Sequence, residues 1–197
     1  MMRRGLRAAA LAALAMGLTA RGADASTPLV RVEVPGVPNF AAVSPDLMRG
    51  AQPTAEGFRA LRERGVRTIV SLRASHADEE MMSGLGLRHY RLRTRQWRPE
   101  TEDVVKAMKV ILAPESQPVF VHCQAGKDRT GLVVAVYRVL VDGWTVDDAI
   151  AERRALGANA IWEENEAYLK RLRTPAFRRF LRAKIELAPM PEVKVVP

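Results

Sequence analysis

Val119-Phe120-Val121-His122-Cys123-Gln124-Ala125-Gly126-Lys127-Asp128-Arg129-Thr130-Gly131 joins two apolar runs of different character. Pro118 to Val121 is short and continuous, as in a strand buried on both faces. Leu132 to Val141 is apolar nearly all round, as in a buried helix. A loop that runs from a strand into a helix N-terminus aims several backbone N–H groups at one spot, with the helix dipole behind them. That arrangement cradles an anion. Gly126 allows the tight curvature. Arg129, separated from Cys123 by the five residues Gln124 to Asp128, supplies a planar fork suited to two phosphate oxygens. A cysteine in that positive field favours the thiolate, and a thiolate facing a bound phosphate is a nucleophile for phosphoryl transfer.

Working outward, the flanking sequence alternates strand and helix patterns. Residues 29–38 read as extended, with breaks at Pro35 and Pro38, and a short strand is expected at Leu47–Gly50. Thr54 caps a helix through about Arg64, which Gly65 ends. Val66 to Leu72 is β-rich and bounded. A helix near 76–84 and a strand near 87–93 follow. Val104, Val105, Met108, Ile111 and Leu112 give residues 101–113 a one-sided apolar face. Thr145 opens another helix, residues 162–173 read as helical, and Thr174-Pro175 starts a last one with Phe177, Phe180, Leu181 and Ile185 on one face. The pattern predicts an α/β domain: a mainly parallel central sheet flanked by helices, with a helical C-terminal half.

The 197 residues suit one domain. The chain holds 31 basic and 22 acidic residues, a formal net charge of +9, which points to an anionic partner. One cysteine excludes an internal disulfide and any multi-cysteine metal cluster, and the three widely spaced histidines argue against a His-rich metal centre. Residues 1–25 read as an export signal: a basic start with Arg3, Arg4 and Arg7, an apolar run from Ala8 to Ala20, and Ala23-Asp24-Ala25 as a cleavage site. The apolar run is too short to span a bilayer comfortably. The expected organisation is therefore signal 1–25, catalytic domain 26–187 and a proline-containing surface tail 188–197, with export to the periplasm or beyond. Removing the signal leaves 27 basic and 21 acidic residues.

His122, Cys123, Arg129 and Thr130 match in order the signature of the cysteine-based protein tyrosine phosphatase superfamily, which this chain resembles. Asn39-Phe40, Leu47 to Pro53 and Gly65 to Arg73 are similar to the N-terminal part of its small dual-specificity branch. The resemblance implies a protein tyrosine phosphatase-like fold. It also implies hydrolysis of phosphate monoesters, on phosphoproteins or on phosphoinositides and inositol phosphates, through a phosphocysteine on Cys123. Arg129 and the loop amides from Gln124 through Ala125, Gly126 and Lys127 would hold the phosphate oxygens. Thr130 would hydrogen-bond the thiolate, and His122 would orient the loop. No cofactor or metal is implied. The alternative is a pseudophosphatase that binds phosphate without turnover; a rhodanese-type sulfurtransferase fits less well, since its loop is not expected to end in Arg-Thr-Gly.

The pattern departs at the general acid. The segment Tyr90 to Glu102, where many relatives carry an Asp, has none before Asp103, which falls in a predicted helix. Asp128, inside the loop, is the expected acid, ahead of Glu100; the structural alternative for Asp128 is a charge that orders the loop or pairs with an arginine. On an extended segment Arg91, Arg93 and Arg95 would share one face, a rim for polyanionic substrates. Aromatic side chains that could stack bases are sparse, so a nucleic-acid role is not expected.

Overall fold

The computed structural model describes residues 29–74, 78–95, 98–161 and 163–197. The predicted export signal and Trp162 lie outside the described residues. Among the described residues seven strands form one sheet: β1 (Val30–Arg31), β2 (Ala41–Ser44), β3 (Leu47–Gly50), β4 (Thr68–Ser71), β5 (Leu87–Arg91), β6 (Val119–His122) and β7 (Lys194–Val196). Their order is β1-β2-β3-β6-β4-β5-β7. The central four, β3, β6, β4 and β5, are parallel. The edges are antiparallel. The helices are α1 (Ala55–Glu63), α2 (Thr101–Leu112), α3 (Asp128–Leu140), α4 (Val146–Ala155), α5 (Glu163–Arg171) and α6 (Pro175–Leu187). The predicted α/β architecture with its helical C-terminal half is the one observed.

Strand β6 organises both layers. Its side chains alternate across the sheet with the period of two expected of a strand. Val119 and Val121 join the larger apolar cluster, with Val104, Met108 and Leu132. Phe120 joins the smaller one, with Phe58, Leu61 and Ile69. Cys123 falls in the larger cluster. His122 stacks on Phe120 (ring centroids 5.8 Å apart) and meets the edge of Phe58 (6.3 Å). Adjacent residues of the motif thus face opposite layers. Every residue of α3 except Arg129 is buried, which explains a helix with little amphipathic signal.

Three caps are made as expected. Thr54 accepts from Gly57 N, Thr145 from Asp148 N and Thr174 from Phe177 N. Three expectations need correction. The helix near 76–84 is, among the described residues, only a 3₁₀ turn at Glu80–Met82, because Asp78 turns inward and Gly84 adopts φ +83°. The tail 188–197 is not all surface: Lys194–Val196 pairs with β5 and buries Val196. The arginine face is interrupted at Arg93, whose φ is +50°: Arg91 and Arg93 stay on the wall of one cavity, while Arg95 turns to another. Arg88 donates to Glu115 O, Arg91 Nη2 donates to Ala74 O at 3.0 Å, and Arg95 Nη1 pairs with Glu100 Oε1 at 3.2 Å.

Candidate active site

Cys123 follows the last residue of β6 and is 3% exposed. The loop after it bends back against the end of β3. At Gly126, φ is +67°, and a Cβ there would lie 2.4 Å from Gly50 C and O. Both the backbone angle and the space therefore require glycine.

Three successive loop carbonyls are held from outside. Gln52 N donates to Gln124 O at 3.1 Å, Asn39 Nδ2 to Ala125 O at 3.1 Å, and Arg49 Nη2 to Gly126 O. In a planar trans peptide the carbonyl and the next N–H point in opposite directions. Pinning these carbonyls outward therefore turns the amides of Ala125, Gly126 and Lys127 inward. The first turn of α3 adds further N–H groups without intrahelical partners. The strand–loop–helix segment thus presents these N–H groups on the inner side of one loop. Its outer ring, Asn39, Arg49 and Gln52, comes from the segments before α1, whose part in the loop the spacing of the motif could not reveal.

Arg49 is 1% exposed. Burial lowers its pKa to about 10, against the pull of Cys123, which raises it. Arg129 Nη1 donates to Leu72 O at 2.9 Å, which holds the guanidinium at the end of β4. Arg129 Nε and Thr130 Oγ1 are buried without a hydrogen-bond partner among the described residues. Buried polar groups of this kind are ordinarily partnered. Gln124, Ala125 and Lys127 are exposed and line an open cleft of about 980 Å³ with Gln52 and Arg73. Arg73 Nη1 donates to Gln52 Oε1 at 2.8 Å.

Behind the loop lies a buried polar chain. Asp78 Oδ2 sits 3.3 Å from His122 Nε2 and 3.5 Å from His89 Nε2, and Gln52 Nε2 donates to Asp78 Oδ1 at 2.6 Å. All of Asp78, His89 and His122 are at most 1% exposed. Burial opposes ionisation of Asp78, but the hydrogen bonds from His122, His89 and Gln52 hold its carboxyl well below the usual carboxylate range. His122 Nδ1 lies 3.3 Å from Cys123 O. His122 is therefore fixed from both sides of its ring, away from the cleft. Nothing in the local sequence marked Asp78 or His89 as its partners.

The carboxyls offered as acids occupy different surroundings. Asp128 Oδ1 accepts from Asn159 N at 2.8 Å and lies 3.6 Å from Arg153 Nη2. Its other oxygen has no hydrogen-bond partner among the described residues. Arg153 is buried and reaches Asp128 across Gly131, where a Cβ would meet Arg153 Cγ at 3.0 Å. Glu100 is paired with Arg95. Glu100 and Asp103 line one narrow cavity with Arg129, Leu72 and Thr94. Burial, then the nearby Glu100 charge, raises the Asp103 pKa. Among the described residues no group of His, Cys, Asp and Glu is placed to hold a metal ion.

A family model described as "DSP-PTPase phosphatase fused to NAD+ Kinase" matches residues 35–170. The dual specificity protein phosphatase TpbA of Pseudomonas aeruginosa is 30% identical over 171 residues, which cover 84% of this chain and 78% of TpbA. The inositol diphosphatase SIW14 of Saccharomyces cerevisiae is 28% identical over 135 residues, covering 64% of this chain and 48% of its own length. A crystal structure of P. aeruginosa TpbA in complex with pTyr superimposes with a TM-score of 0.70 at 26% identity, covering 84% of this chain and 100% of that one.

Proposed function

Since the chain belongs to the DSP-PTPase phosphatase family and is a cysteine-based phosphatase, we propose that Cys123 is its nucleophile and Arg129 its phosphate clamp. Cys123 Sγ attacks phosphorus while the P–O bond to the leaving group breaks. The amides of Ala125, Gly126 and Lys127, with Arg129, hold the equatorial oxygens as charge spreads onto them. The leaving oxygen takes a proton from Asp128. Water then attacks the phosphocysteine, Asp128 takes its proton, and the P–S bond breaks. Thr130 Oγ1 hydrogen-bonds the departing thiolate. His122, held by Asp78, positions the loop and touches no substrate.

The observation that carries this reading is the set of three outward-held carbonyls around a loop that begins at Cys123. A second donor has its own support: Asp103 shares a cavity with Arg129, and burial favours its protonated form. The two carboxyls are separated by a leaving-group comparison set out below.

The substrate is a phosphate monoester, for which the open cleft bearing Lys127 and Arg73 leaves room on a phosphorylated side chain or on an inositol ring. Support comes from one relative named as a dual specificity protein phosphatase and another named as an inositol diphosphatase. Hydrolysis of an aryl phosphate should fall roughly 10³-fold or more in Cys123→Ser. Retained turnover in that variant would remove Cys123 from the mechanism, whereas phosphate binding without turnover in the wild type would make the chain a binding module. A panel of phosphopeptides, phosphoinositides and inositol phosphates then ranks the substrate by kcat/KM. Residues 1–25 are proposed to direct export before cleavage ahead of Ser26; fractionation of the tagged chain, with the mature N-terminus read by mass spectrometry, tests it.

A further inference from the structure

Two strands beyond β6 in the sheet order, a cavity of about 450 Å³ opens between the end of β5 and the segment Pro191–Lys194. Its wall carries Arg91, Arg93, Lys106 and Lys194, with His89 at the back and Glu192 the one carboxylate. It shares no lining residue with the cleft beside Lys127 or with the narrow cavity at Arg129. Adjacent strands lie about 4.8 Å apart, so the cavity is displaced from the Cys123 loop by about 10 Å across the sheet.

Four side chains that are always or nearly always cationic do not converge on one hollow without a cost in mutual repulsion. Internal partners offset only part of it. Lys194 Nζ lies 3.2 Å from Glu79 Oε1, and Arg91 Nη2 is used by Ala74 O. Arg91 Nε is buried without a hydrogen-bond partner among the described residues. Among the described residues no carboxylate comes within ion-pair distance of Arg93 or Lys106. Arg93 is moreover held at φ +50°, a left-handed conformation that a non-glycine residue adopts at a cost. Two guanidinium forks and two ammonium groups are the donor set for a phosphate with several charges, and the volume suits a small molecule.

We propose that this cavity is a second phosphate-binding site, separate from the Cys123 loop, for a small, multiply charged phosphate ligand. Its back wall connects it to the catalytic loop. His89 bridges the cavity to Asp78, and Asp78 in turn holds His122, the neighbour of Cys123.

The test reads binding and not turnover, so it stands apart from the assignment of Cys123. Full-length Cys123→Ser protein is titrated with tripolyphosphate while backbone amides are followed by NMR. The expected result is two groups of shifts with separate saturation: one at Gln124–Thr130, the other at Leu92, Arg93 and Lys194. Adding Arg93→Ala and Lys106→Ala, both exposed positions, should weaken the second group at least ten-fold and leave the first unchanged. Shifts confined to the loop, or cavity shifts that survive the double substitution, overturn the proposal. Repeating the titration with inositol hexakisphosphate and with phosphoinositide-containing vesicles separates a soluble ligand from a lipid headgroup. Arg93- and Lys106-dependent shifts with either one support the site.

Discussion

The guanidinium of Arg49, buried at the end of β3, donates to the carbonyl of Gly126 in the loop after β6. Through this bond a residue some eighty positions upstream decides which way a loop peptide faces. The reach of the chain makes such a contact invisible locally, while the parallel pairing of β3 with β6 makes it short: Arg49 stands opposite Val121 in the register. Asn39 and Gln52 do the same for the two preceding carbonyls.

Removing the support should therefore disable the loop without touching its own residues. Arg49→Met leaves the Gly126 carbonyl buried and unpaired, a loss of about 1–3 kcal/mol. The urea midpoint should fall, and kcat should fall with it while far-UV circular dichroism stays native. A variant with full kcat would show that the bond does not orient the amides.

Gly126→Ala tests the same loop from the inside. The added methyl meets Gly50 backbone at 2.4 Å, and φ +67° strains any L side chain. The loop must shift by a substantial fraction of an ångström or more, and a misplacement of about 1 Å costs roughly 100-fold in rate. Steady-state kinetics on an aryl phosphate should show that loss in kcat/KM.

Asp78 should make stability depend on pH in a stated direction. Its carboxyl is held far below the unfolded value of about 3.9, so the folded state binds its proton more weakly than the unfolded state. The resulting stabilisation is complete above about pH 5 and fades as pH falls through and below about 4. Asp78→Asn should therefore lower the urea midpoint at pH 7, and the gap to wild type should narrow in acid. A gap that is equal at pH 7 and pH 3 would contradict the assignment. The same variant frees the His122 ring, so its kcat should fall as well.

The acid is identified by leaving-group dependence. Replacing the true donor slows a poor alkyl leaving group more than an activated aryl one, because only the poor one needs its proton in the transition state. Asp128→Asn should show that split, and Asp103→Asn should slow both substrates alike. The reverse outcome moves the role to Asp103.

The last strand is expected to matter for the fold. Truncation after Val193 removes β7 and uncovers the apolar surface that Val196 closes over Leu87 and Met82. Loss of one buried valine corresponds to about 1.5–3 kcal/mol, readable as a lower melting temperature.

Elements that depend on nearest neighbours are legible in the order of residues. The buried strand before Cys123, the buried helix after Arg129 and the three threonine caps follow from local periodicity and local hydrogen bonds, and they were legible for that reason. So was the tight strand-to-helix loop between them, since Gly126 marks the turn that only glycine fits. Elements that borrow their stability from distant partners were not legible. β7 looked like tail because three residues form a strand only when an open edge such as β5 accepts them. The 76–84 segment looked helical because nothing beside it says that Asp78 will be drawn inward by two histidines. Arg95 leaves the face it would share with Arg91 and Arg93 because alternation assumes an unbroken strand, and the backbone turns at Arg93. Only the tertiary structure decided what surrounds the loop: Arg49, Asn39 and Gln52 outside it, Asp78 behind it, and Arg153 and Asn159 against Asp128. Each of those contacts is set by sheet order and register, quantities that arise when separate segments meet.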